Sequence, residues 1–115
     1  MLHEESLIQQ ACVRWFRLQY PKLALNLFAV PNGGARKRTE AAIMKAEGVT
    51  AGVADLLLLF PAKHYHGLCI EMKTPKGKQQ PSQKIWQRVA EDSGYKYVIC
   101  RSLDDFIGQI NSYLR

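Results

Sequence analysis

Cysteine is scarce in this 115-residue chain, occurring only at Cys12, Cys69 and Cys100. No two form a Cys-x-x-Cys pair, so neither a zinc knuckle nor a disulfide framework is indicated, and reduced, intracellular thiols are the simplest reading. The opening "MLHEESLIQQ" meets glutamates before any apolar run, unlike a signal peptide. No segment approaches the ~20 apolar residues of a membrane span, so a cytoplasmic protein without a membrane partner is expected. Internal repeats, low-complexity tracts and linker-like stretches are also missing, which leaves one domain over residues 1–115 as the expectation. "TPKGK" lacks the glycine spacing and the terminal Lys-Ser/Thr pair of a P-loop. His64 and His66 have no third ligand nearby and read as loop residues rather than a zinc site.

What is present is an ordinary globular composition. Hydrophobic residues make up 47% and charged residues 23%, enough apolar material for one core at a length too short for two. Sixteen Lys and Arg against ten Asp and Glu give a net charge of +6, which favours polyanionic partners such as nucleic acid, although solubility alone also accounts for it.

Between Glu4 and Gln19, apolar residues at Leu7, Ile8, Ala11, Cys12, Trp15 and Phe16 have the spacing of one helical face, and Pro21 ends the helix. "LALNLFAV", residues 23 to 30, has strand composition and stops at "PNGGARKR", a turn or exposed loop followed by basic residues. "KRTEAAIMKAE" reads as a short helix capped by Gly48. Residues 52 to 60, "GVADLLLLF", are a loop feeding a strand buried on both faces, and residues 67 to 74, "GLCIEMKT", form the next strand. "PSQKIWQRVAEDSG" is a helix with Ile85, Trp86, Val89 and Ala90 on one face. A strand "YKYVICR" leads to a last amphipathic helix, where Ser102 and Asp105 look like a capping box. The two tryptophans lie on or beside apolar stripes and are read as core, and Cys69 as a small, partly buried hydrophobe. The fold class is therefore α/β.

Charges within the second of these strands need a reason. If residues 55–60 and 67–73 pair as a hairpin symmetric about position 63, Asp55 lies opposite Glu71 on one face, and Lys73 follows on that face. Leu68, Ile70 and Met72 then point the other way, into the core. Two opposed carboxylates repel at a half-buried sheet surface unless positive charge sits between them. A divalent cation supplies it: Mg²⁺ is usually held by one or two carboxylates, with water and substrate phosphate completing an octahedron. Lys73 could then orient or deprotonate a water and offset charge on a scissile phosphate. A solvent-facing charge ladder is the plainer alternative.

"EGVTAGVADLLLLF" followed by "HGLCIEMKTPKGKQQPSQKIW" resembles the VRR-NUC domain, in its small stand-alone phage form, of the PD-(D/E)XK nuclease superfamily. The resemblance includes "PNGGARK", "SGYKYVICRS" and the closing helix, and implies a restriction-endonuclease-like αβββαβ core with one inserted helix and a mixed central sheet. It further implies Asp55 and Glu71 as metal ligands for Mg²⁺ or Mn²⁺, the backbone carbonyl of Met72 as another, and Lys73 as the catalytic lysine. Gln83 matches a glutamine near the site, and Glu5 matches the acidic residue of the first helix. Helical spacing independently lines Glu5 up with Ile8 and Cys12; Glu4 takes the role if the register slips by one. The family name implies Pro-Asp, whereas Ala54 precedes the aspartate here, which bears on loop stiffness more than on chemistry.

Arg36, Lys37, Arg38, Lys76 and Lys78 flank the site in sequence and are read as phosphate contacts. The resemblance points to a metal-dependent DNA endonuclease acting on branched, flapped or Holliday-junction-like structures in a bacterial or phage-infected cell. It also implies a homodimer and no small-molecule cofactor. A non-catalytic or partner-dependent DNA-binding module with the same fold is the alternative.

Overall fold

Apolar periodicity near the N-terminus produces the helix it announces. In the computed structural model, which describes residues 3–31 and 37–115, helix α1 runs Glu4–Gln19 with Cys12 and Phe16 fully buried. A 3-10 turn, Pro21–Asn26, follows, then β1 (Leu27–Ala29), α2 (Arg38–Ala46), β2 (Leu56–Leu58) and β3 (Leu68–Met72). The chain continues through α3 (Pro81–Asp92), β4 (Lys96–Cys100) and α4 (Leu103–Leu114). Removing α2 and α4 leaves the order αβββαβ.

The strand read over residues 23 to 30 is mostly not a strand. Pro21 presets a helical φ, Leu23 N–H bonds back to the Tyr20 carbonyl at 2.9 Å, and only Leu27–Ala29 extends. Leu25, inside the turn, is 96% exposed, so its strand-like composition reflected no burial. The short partner explains the short strand, since β2 pairs over just three residues. Of the run read as buried on both faces, Leu56 and Leu58 are fully buried, Leu57 is half-buried, and Leu59 lies outside the strand and is exposed. The turn read at Asn32–Gly34, and Arg36, lie outside the described residues.

The sheet has the order β1-β2-β3-β4, antiparallel except for the parallel β3–β4 pair. Parallel neighbours need a crossover, and α3 supplies it. Period-two alternation divides the side chains between two layers. On one face Leu27, Leu56, Leu58, Leu68, Ile70, Met72, Val98 and Cys100 pack against Cys12 and Phe16 of α1 and Phe106, Ile110 and Tyr113 of α4. On the other, Cys69 and Tyr97 meet Ala54, Trp86 and Ala90, where α3 covers the sheet. Both tryptophans pack against these cores.

Helix α3 departs from its sequence reading. Trp86 and Ala90 face the sheet, while Ile85 and Val89 are 69% and 57% exposed. The inward stripe also carries the polar Gln83 and Gln87, which the apolar pattern passed over. Helix α2 buries no residue at all. Gly48 closes it with φ of +104°, a left-handed value that glycine adopts without strain. At α4, Ser102 Oγ accepts from Asp105 N–H at 3.0 Å, but the Asp105 carboxylate accepts from Arg101 N–H at 2.9 Å, so half of the expected capping box is displaced by one residue.

Candidate functional site

Pairing between β2 and β3 sets Leu56 against Ile70, Leu57 against Cys69 and Leu58 against Leu68, the register symmetric about position 63. Asp55, just before β2, is thereby carried to the level of Glu71. Its Oδ2 accepts the Met72 N–H at 2.7 Å, which ties the aspartate to the end of β3. Lys73 continues the strand line, its N–H bonded to the Cys100 carbonyl at 3.0 Å, and its ammonium stands 3.8 Å from Glu71 Oε2. Asp55, Glu71 and Lys73 thus meet at one end of the sheet. Glu71 is 1% and Lys73 8% exposed, so neither belongs to a solvated charge ladder.

A buried carboxylate is costly unless its oxygens are satisfied. Gln83 Nε2 donates to Glu71 Oε2 at 2.8 Å, and Tyr97 Oη lies 3.3 Å from Oε1. The other end of the Gln83 amide accepts the Gln80 N–H at 2.7 Å, so the side chain that steadies Glu71 also caps α3. Burial first, and then the adjacent Asp55 charge, push the Glu71 carboxyl well above the usual carboxylate range, with Lys73 opposing. The site is short of positive charge.

Glu5, on α1, is half-buried. Its pKa is raised by partial burial and then by the Asp55 charge, with Lys73 again opposing, so the side chain sits within their field. Glu4 is exposed, whereas Glu5 is half-buried.

Gly52 holds the approach to Asp55. At φ of +89° it packs against the start of α3, and a Cβ there would collide with the Ser82 carbonyl and lie 3.1 Å from Gln83 N. Downstream, Gly77 N–H bonds to the Thr74 carbonyl at 3.0 Å, forming the turn that carries the exposed Lys76 and Lys78. Arg101 Nη1 donates to the carbonyls of Thr74 at 2.9 Å and Gly77 at 2.6 Å, fastening that turn to the end of β4. Lys37 and Arg38 are exposed at the start of α2. Gly52, Gln79, Tyr97 and Arg101 were not singled out from the sequence. Gly52 carried a faint signal as a glycine three residues before the aspartate; the others act through contacts between distant elements.

The thiols take no part. Burial pushes Cys12 and Cys69 to about 11 and Cys100 to about 12, the behaviour of inert core residues. Tyr65 and His66 belong to the β2–β3 loop, where Lys63 and His64 adopt positive φ.

The donors that converge are carboxylate oxygens, the hard set that suits Mg²⁺ or Mn²⁺ over softer ions. Among the described residues no three His, Cys, Asp or Glu side chains form a ready-made cage. Ions that keep several waters and bind substrate phosphate need only one or two carboxylates, so the residues fit such an ion.

A mixed four-stranded sheet between two helical layers, with Asp, Glu and Lys gathered at one strand end, defines an α/β domain organised around a polar site. A solved structure described as a VRR-NUC domain protein superposes with a TM-score of 0.84 at 30% identity, covering 96% of this chain and 87% of the other. The model of the VRR-NUC domain family matches residues 3–104, and the chain belongs to that family, a nuclease-type domain that acts on DNA. No curated protein matches the chain. Among the described residues no helix is long and apolar enough to cross a membrane.

Proposed function

We propose that the protein is a Mg²⁺- or Mn²⁺-dependent endonuclease that hydrolyses DNA phosphodiester bonds, at branched, flapped or junction-like structures. The observation that carries this reading is the strand end itself: a fully buried Glu71, held by Gln83, with Asp55 and Lys73 beside it. Asp55, Glu71 and the Met72 carbonyl would hold the ion, whose chemistry is to polarise the scissile phosphate and acidify water.

The chain's own groups do the rest. Lys73 orients the attacking water and offsets charge on the phosphate as the new P–O bond forms and the opposite P–O ester bond breaks, the water's proton passing to solvent. Glu5 adds a further carboxylate at the edge of the site. Lys76 and Lys78, on the turn fastened by Arg101, and Arg36, Lys37 and Arg38 position the backbone of the DNA. Preference for branched DNA, and a homodimer presenting two such sites to a junction, extend this reading by family resemblance.

The test is a labelled panel of single strand, duplex, flap, splayed arm and four-way junction, incubated with Mg²⁺, Mn²⁺ or EDTA. Wild type should cut one or more members with metal and none in EDTA. Lys73→Ala should lose at least about 10²-fold of the rate. Asp55→Ala should also stop cutting, yet bind DNA as tightly or more tightly, because a carboxylate facing phosphate is removed. If both variants cut like wild type, the assignment is wrong; folded wild type that binds but never cuts favours a binding module or a partner-dependent enzyme.

A further inference from the structure

The two oxygens of Glu71 are held from two different elements. Gln83 of α3 serves Oε2 at 2.8 Å, and Tyr97 of β4 serves Oε1 at 3.3 Å. In the parallel ladder Cys69 pairs with Tyr97 and Glu71 with Ile99, so the phenol ring lies diagonally across the sheet face from Glu71. Tyr97 is 8% exposed, and among the described residues its hydroxyl has two partners, Glu71 and Gln79.

The direction of that hydroxyl proton follows from a chain of acceptors and donors. Gln87 Nε2 donates to the Glu91 carboxyl at 3.3 Å. Gln87 therefore turns its amide oxygen the other way, where it accepts from Gln79 Nε2 at 2.8 Å. The second hydrogen of that same nitrogen goes to Tyr97 Oη at 3.2 Å. With an N–H arriving at the phenol oxygen, the phenol's own hydrogen is left to point at Glu71 Oε1. A carboxylate on the surface of α3 thus sets the polarity of a relay that ends at the buried site.

Resting on the nuclease reading above, we propose that Tyr97, oriented by Gln79, is a positioning residue that holds the Glu71 carboxylate in the orientation needed to receive a divalent cation beside Asp55. Gln83 alone fixes one oxygen and leaves the carboxylate free to rotate about its Cγ–Cδ bond. Tyr97 fixes the second and removes that rotation. Hydrogen-bond partners of metal-binding carboxylates act on affinity in this way.

The experiment is a calorimetric titration of Mn²⁺ into the DNA-free chain, for wild type, Tyr97→Phe, Gln79→Met and Glu71→Gln, with thermal melting and DNA binding measured in EDTA. Tyr97→Phe should weaken Mn²⁺ binding about 10-fold. Gln79→Met should weaken it by a smaller factor, and Glu71→Gln should abolish it. DNA affinity in EDTA should be unchanged by Tyr97→Phe, which separates loss of positioning from loss of fold. Folded Tyr97→Phe with wild-type Mn²⁺ affinity would overturn the proposal and leave the nuclease reading standing. If Tyr97→Phe melts early, Gln79→Met decides, since it keeps the ring: unchanged affinity there also overturns the proposal. Wild type that neither binds Mn²⁺ nor cuts any member of the DNA panel would remove the nuclease reading and this inference together.

Discussion

Glu71 shows how a single buried carboxyl ties stability to function. Burial, then the neighbouring Asp55, move it from an ordinary 4.5 up to about 8. Below its unfolded value both states are protonated, so stability is greatest there. As pH rises, the unfolded chain ionises while the folded one resists, and stability is lost through the window from 4.5 to about 8. In EDTA the melting temperature should therefore fall across that window, and Glu71→Gln, which cannot ionise, should flatten the fall. Mn²⁺ favours the ionised form and should restore part of the loss at the alkaline end. A Glu71→Gln curve that keeps the wild-type slope would show that another group carries it. Asp55, beside it, is held by the Met72 N–H, which its Oδ2 accepts at 2.7 Å.

At the scale of elements, the site depends on how closely the loop before β2 approaches α3. Gly52 and Gly48 both have positive φ, but Gly52 packs against Ser82 and Gln83 while a Cβ on Gly48 would meet nothing within 4 Å. Gly48→Ala should cost only the left-handed strain, about 1–2 kcal/mol. Gly52→Ala adds a collision with backbone and should cost about 2–4 kcal/mol in a denaturant titration. It should also depress activity beyond the Gly48→Ala level by pushing Gln83 away from Glu71. Equal losses in the two variants would mean that the close approach is unimportant. The 3-10 turn Pro21–Asn26 belongs to the same scale: Asn26 Nδ2 bonds to the Leu59 carbonyl at 2.7 Å, anchoring a segment in which Leu23 packs against the core and Leu25 stays outside.

Across the whole molecule, the positive excess sets how DNA is met. A net charge of +6 draws in a polyanion, but only side chains on phosphates release counterions. Lys76 and Lys78 share a turn that three carbonyl contacts to Arg101 hold in place, at 2.6 to 3.5 Å. Lys76→Ala and Lys78→Ala should each lower the slope of log affinity against log salt by about 1, uniformly over DNA structures. Fluorescence anisotropy across a salt series reads this directly, and an unchanged slope would remove that lysine from the interface.

The sequence by itself determined the α-helices and the meeting of Asp55, Glu71 and Lys73. The 3.6-residue spacing in α1 and α4 needs no partner to be read, and a hairpin is symmetric about its own loop, so position 63 alone placed Asp55 level with Glu71. Lys73 followed from alternation. Tertiary structure decided what such local rules do not reach. The parallel β3–β4 register has no loop to centre it; it is set by the packing of Trp86 and Ala90 on the sheet, and it alone brings Tyr97 to Glu71 and Arg101 to the Thr74–Gly77 turn. The same packing turned Gln83 and Gln87 inward and left Ile85 and Val89 outside. A helix that covers a polar strand end must satisfy buried charge before it buries further apolar surface, because an unpaired buried carboxylate costs more than an exposed isoleucine.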